Sequence, residues 1–89
     1  MVKRRGKPVE VDVVGPVCES SDVLARARPL VLPRQGELYA VMSAGAYGMS
    51  MASNYNSRPR PAEVMVDGGA WRVVREREKP EDLWRGERA

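Results

Sequence analysis

Three side chains stand in surroundings where they could do chemistry: Cys18, Glu19 and Tyr47. The stretch "GPVCESSD", Gly15–Asp22, sets a thiol beside a carboxylate and two hydroxyls, just past a candidate strand end. A thiol can donate a proton, and a carboxylate can pair with a substrate ammonium. The same letters also fit a buried Cys next to a helix-capping Ser and a surface Glu, since free Cys is among the most buried residue types. In "AGAYG", Ala44–Gly48, a Tyr sits between small residues. Small residues let backbone and phenol approach a phosphate or carboxylate closely, or they serve a turn while Tyr47 packs. "SNYNSRPRP", Ser53–Pro61, holds Asn54, Tyr55, Asn56, Arg58 and Arg60. It reads as a loop stiffened by prolines ahead of a strand, or more weakly as a stacking platform for single-stranded nucleic acid. The first of these last two stretches and the start of the second, to Ser57, belong to a run without charge, Leu38 to Ser57, in a chain of which 30% is charged.

Composition narrows the chemistry. The chain has no histidine, so the commonest metal ligand and general base is missing, and no metal site is expected. Its single Cys can form neither an internal disulfide nor a cysteine-based zinc site by itself. Fifteen basic residues face twelve acidic ones, for a net charge of +3 and a pI of about 9.4. That balance is mixed rather than polybasic and argues only weakly for nucleic acid. No apolar run approaches the roughly 20 residues that cross a bilayer. The basic start "MVKRRGKPVE" lacks the apolar segment of a secretory signal, so the expected compartment is cytoplasmic and no membrane partner is expected.

The elements that must position these residues are short. With 89 residues there is room for one domain, and 43% hydrophobic residues suffice for a globular core. Residues 1–8 read as a frayed basic N-terminus, 9–78 as a β-domain and 79–89 as a charged tail with a helical turn, Leu83 and Trp84 docking. Val9, Val11 and Val13 alternate with Glu10 and Asp12, the pattern of a half-buried strand that Gly15-Pro16 ends. Ser20 or Ser21 is expected to cap a short helical turn through Ala25. Pro29 and Pro33 bracket "LVL", a short or edge strand, and Arg34–Gly36 reads as a turn. "ELYAVMS" is expected to be a strand with Leu38, Ala40 and Met42 on one face. "AEVMVDGGAWRVVRE" predicts a hairpin turning at Asp67-Gly68-Gly69, with Val64 and Val66 sharing a face, as do Trp71 and Val73. The fold class is mostly β: a small β-sandwich or partly open barrel of about five or six strands. Uncovered strand edges would favour self-association.

Together, "VDVVGPVCESSDVLAR" and "AGAYGMSMASNYNSRPRPAEVMVDGG", in this order and spacing, resemble the C-terminal segment of the diaminopimelate decarboxylases. That family uses pyridoxal phosphate (PLP) and belongs to the alanine-racemase-like group, whose other domain is a TIM barrel. The resemblance covers about residues 9–78. It implies PLP-dependent decarboxylation of meso-diaminopimelate to L-lysine in a homodimer whose sites lie at the interface. Cys18 resembles the thiol that crosses into the partner's site and returns a proton after CO2 leaves. Glu19 resembles the carboxylate that binds the distal amino group of the substrate; relatives acting on ornithine or arginine usually carry Asp there. Tyr47 resembles the tyrosine that touches cofactor and substrate near the phosphate, and Ser50 to Pro61 the segment that shapes the site wall. Ser21 departs from the family, which has Gly; a left-handed backbone there would cost about 1 kcal/mol. The second departure is the Schiff-base lysine, since Lys3, Lys7 and Lys79 all lie outside any matching motif. The resemblance therefore implies the C-terminal domain of such an enzyme, its barrel absent here, and a chain inactive by itself. Its expected partners are the barrel domain and a second copy. The alternatives are a small basic β-barrel module for nucleic acid, or a structural partner of a separately encoded barrel subunit.

Overall fold

The computed structural model describes residues 6–88. Most of the segment expected to fray, and Lys3 with it, lies outside the described residues. The described residues form two compact units, one running to Ala40 and one starting at Val41.

The first unit is a two-stranded antiparallel sheet of β1 (Val9–Val14) and β2 (Val23–Leu30). Val11 and Val13 are half-buried while Asp12 and Val14 face out, as the alternation requires. The register runs from Val9 opposite Leu30 to Val14 opposite Val23 and shifts between Val11 and Val13. At that irregularity Ala27 adopts a left-handed φ of 48°. Its amide donates to Asp12 Oδ1 at 2.8 Å, so a side chain takes the place of the missing ladder bond.

The helical turn expected after Ser20 does not form: Val23–Leu30 is strand. Three features explain it. Asp22 turns its side chain back to Val17 instead of forward, Val23 and Ala25 follow a period of two, and a helix this short cannot offset its nucleation. Pro29 sits inside β2 opposite Glu10, which a two-stranded sheet tolerates because one edge of each strand is unpaired.

The second unit contains a single α-helical turn, α1 (Gly45–Gly48), and a 3-10 turn at Tyr55–Ser57. An antiparallel hairpin of β3 (Glu63–Asp67) and β4 (Ala70–Arg75) follows, then a 3-10 turn at Pro80–Trp84. The hairpin turns at Gly68-Gly69, where Gly68 takes the positive φ of 56° that such turns need. Val64 lies opposite Val73 and Val66 opposite Trp71, so the predicted apolar pairs do share a face. At the C-terminal end, the Lys79 amide donates to Asp82 Oδ2 at 2.8 Å, closing the first turn after Pro80.

"ELYAVMS" forms no strand. Among the described residues every strand belongs to one of the two hairpins, and an extended segment becomes a strand only by pairing. The turn before it does form, with the Glu37 amide donating to Arg34 O at 3.1 Å and Gly36 at φ 86°.

The fold is thus mostly β, with four strands in two separate sheets among the described residues and no closed barrel. None of the described residues is buried. Leu38 is 98% exposed, Met51 76% and Trp71 70%. A two-stranded ribbon has too few layers to cover its own apolar face. No helix among the described residues is long and apolar enough to cross a membrane.

Candidate functional site

Cys18 and Glu19 sit on the connection between β1 and β2, a loop closed mainly by its own backbone. The Gly15 amide donates to Asp22 O at 2.8 Å, Glu19 N–H to Val17 O at 2.9 Å, and Asp22 N–H to Glu19 O at 3.1 Å. The Val17 amide donates to Asp22 Oδ2 at 3.1 Å. Gly15 leaves room for this packing, because a Cβ there would lie 2.0 Å from the Asp22 carboxylate oxygens and the Asp22 side chain would have to move. The result is a small fixed platform that displays Cys18 at the surface, which overturns the reading of Cys18 as a buried residue.

Glu19 is oriented by its neighbour. Ser21 donates its hydroxyl to Glu19 Oε1 at 2.8 Å and its amide to the same oxygen at 3.2 Å. Ser21 is not among the residues with positive φ, so Ser replaces Gly there without left-handed strain.

Tyr47 belongs to the second unit. It lies on α1, whose amides at Tyr47 and Gly48 both donate to Ala44 O, at 3.1 and 2.8 Å. Ser43 enters this turn with φ 58°. The Tyr47 carbonyl accepts from the Met51 amide at 3.0 Å, which anchors its backbone, while the residue is 68% exposed.

Beside α1 is an open cleft of about 460 Å³. It is lined by Gly45, Ala46, Met49, Ser50 and Ala52 and by two ion pairs, Arg60–Glu78 and Arg75–Glu63. Tyr47, Cys18 and Glu19 do not line it. Sequence reading singled out Asn54 and Arg60 but missed their partner, Glu78. Asn54 Nδ2 and the Arg60 amide each reach Glu78 Oε2 at 2.6 Å, and Arg60 NH1 reaches Oε1 at 3.0 Å. These bonds hold the Glu78 carboxyl below the ordinary glutamate value. The Arg60 amide contributes most and Asn54 next, partial desolvation opposes them, and the Arg60 guanidinium adds to the lowering. No group of three or more acidic, Cys or His side chains able to hold a metal exists among the described residues.

Comparison with known proteins points one way. The sequence pattern of the family described as "pyridoxal-dependent decarboxylase, C-terminal sheet domain" matches residues 1–45. Diaminopimelate decarboxylase of Vibrio cholerae is 57% identical over 81 residues, which cover 91% of this chain and 19% of that protein. The Deinococcus radiodurans diaminopimelate decarboxylase is 54% identical over 76 residues, 85% of this chain and 20% of that protein. The crystal structure of the M. jannaschii diaminopimelate decarboxylase in co-complex with L-lysine superposes with a TM-score of 0.89 at 39% identity. It covers 98% of this chain, which matches 20% of that one. The chain spans about a fifth of the length of the curated relatives it matches.

Proposed function

The chain belongs to the pyridoxal-dependent decarboxylases, as their C-terminal sheet domain, and on that premise we propose that it serves a diaminopimelate decarboxylase. The proposed reaction is loss of CO2 from meso-diaminopimelate to give L-lysine, in a homodimer. One observation carries the reading: the 57% identity to the Vibrio cholerae enzyme extends over 81 of the 89 residues, a span that must include both motifs.

In this reading the PLP, when bound, withdraws electrons from the carbon that loses CO2. Cys18 Sγ–H returns a proton to that carbon. Its exposure on a closed loop supports a role directed outward, toward a partner subunit. Glu19 holds the distal ammonium of the substrate, with Ser21 steering the carboxylate. Tyr47 offers its hydroxyl near the cofactor phosphate, and Ser50 to Pro61 forms part of the site wall. The described lysines, Lys7 and Lys79, are both exposed and neither lines the cleft. Side chains here fit contacts to a cofactor's edge and not its covalent attachment, so the 89 residues alone do not turn over substrate. Nucleic-acid binding finds no comparable support, because Arg60 is engaged by Glu78 and Asn54 within the chain.

A hybrid enzyme tests this. The 89 residues replace the matching C-terminal fifth of the Vibrio cholerae enzyme, and CO2 release from meso-diaminopimelate is measured. The hybrid is expected to be active, and Cys18→Ala to lower kcat by about 10²- to 10⁴-fold, the range of a general acid. Glu19→Gln is expected to raise KM, and Tyr47→Phe to weaken PLP retention. A folded hybrid without activity, or an unimpaired C18A variant, would sink the reading. The 89-residue chain mixed with PLP and substrate should release no CO2.

A further inference from the structure

We infer that Glu78 is a positioning residue: with Arg60 and Asn54 it forms a three-way clamp that fixes the backbone of the Ala52–Arg60 segment. Each pair of the three is directly bonded. Glu78 accepts from both partners, and Arg60 NH1 also donates to Asn54 Oδ1 at 2.8 Å. The clamp reaches main chain at four points. Arg60 Nε donates to Ala52 O at 3.2 Å, and Asn54 Nδ2 to Arg58 O at 3.1 Å. The Arg60 amide is taken by the Glu78 carboxylate, and the Glu78 amide donates to Arg60 O at 3.1 Å.

What lies between those points explains the need. Asn56 and Ser57 both carry left-handed φ, 57° and 55°. Two consecutive non-glycine residues in that region are strained, and such backbone persists only where its surroundings over-determine it. Within the segment, the Tyr55 amide also donates to Ser53 Oγ at 3.4 Å. The clamp brackets the Tyr55–Ser57 turn, with Glu78 reaching it from 18 residues beyond Arg60 and 24 beyond Asn54.

The clamp's catalytic meaning rests on the decarboxylase reading above, in which this segment walls the site; its structural existence does not. The charge it depends on has a definite setting. Arg60 faces Glu78 from the clamped segment, Arg58 and Arg77 share an adjoining cleft with it, and the Glu63–Arg75 pair lines the same cleft as Glu78. Of these, Arg60 bonds the carboxylate directly, through its amide and its guanidinium. The folded-state carboxyl value lies below the unfolded one, so the clamp holds at neutral pH and is lost as pH falls through the lowered value.

The Arg60 amide proton reads this directly, because it donates to the titrating oxygen. In the 89-residue chain, its NMR resonance is expected to lie downfield at pH 7. It should move upfield on acidification with a midpoint below that of ordinary glutamates. In Glu78→Gln the resonance is expected to be shifted at pH 7 and static with pH, with exchange of the Arg60 and Glu78 amides about tenfold faster and the β3–β4 amides unchanged. A wild-type Arg60 amide that does not titrate, or is unprotected at pH 7, overturns the clamp. So does an E78Q variant that keeps the wild-type shift. If E78Q fails to fold, the wild-type titration decides alone. In the hybrid enzyme E78Q is expected to lower kcat/KM about tenfold, with Glu78→Asp recovering part of it, while C18A loses far more. Full activity in E78Q removes the positioning role. An inactive wild-type hybrid removes the decarboxylase reading and that role together, and the amide titration still decides whether the clamp exists.

Discussion

Ser21 shows how one hydroxyl can tune a neighbour. It donates twice to a single oxygen of Glu19, from its hydroxyl and from its amide. A neutral hydrogen bond contributes about 0.5–1.5 kcal/mol, and one to a charged group somewhat more. In the hybrid enzyme, Ser21→Ala is therefore expected to raise KM for diaminopimelate roughly three- to tenfold with kcat unchanged. A fall in kcat with KM unmoved would mean that Ser21 acts on the chemistry rather than on Glu19. At this scale the sequence was informative where residues are contiguous. Cys18 and Glu19 stand in one motif, and Tyr47 is framed by glycine, so type and neighbourhood coincide. Glu78 was not legible, because its partners lie 18 and 24 residues upstream and no local pattern marks a long-range acceptor.

Elements were legible in proportion to how local their cause is. The β3–β4 hairpin follows from two alternating runs around Gly68-Gly69, and the structure has it turning there, with the expected residues on one face. Gly68→Ala should destabilise it by about 1 kcal/mol, the penalty of a side chain at φ 56°, seen as a lower thermal midpoint in the hybrid enzyme. Gly15→Ala is a different kind of change. Its Cβ would strike the Asp22 carboxylate and push it off the Val17 amide, so the Cys18 loop should loosen at about 1–3 kcal/mol. Faster exchange of the Val17 amide, with the hairpin untouched, checks that. The misread elements, "LVL" among them since β2 ends at Leu30, share a physical reason. Whether Val23–Leu30 pairs, and whether Glu37–Ser43 does, depends on what lies alongside, and the alternation of a short run does not contain that information.

For the molecule as a whole, the exposed apolar residues dominate. Val64, Val66, Trp71 and Val73 make one continuous hairpin face, each more than 40% exposed. Such a face, beside unpaired strand edges, drives association. The 89-residue chain is expected to scatter light as dimers or larger species at high concentration; a monodisperse monomer would count against this. Wrapped into a complete enzyme, the same face is expected to be covered by protein. The lack of any buried residue among those described has a calorimetric consequence as well. The heat-capacity step of unfolding and the denaturant slope both scale with the surface that unfolding newly uncovers. A dilute chain that conceals so little has little to uncover. Its melting should be broad and shallow, with a small heat-capacity increment, and a sharp cooperative transition should emerge only once a covering surface makes the apolar side chains disappear from water.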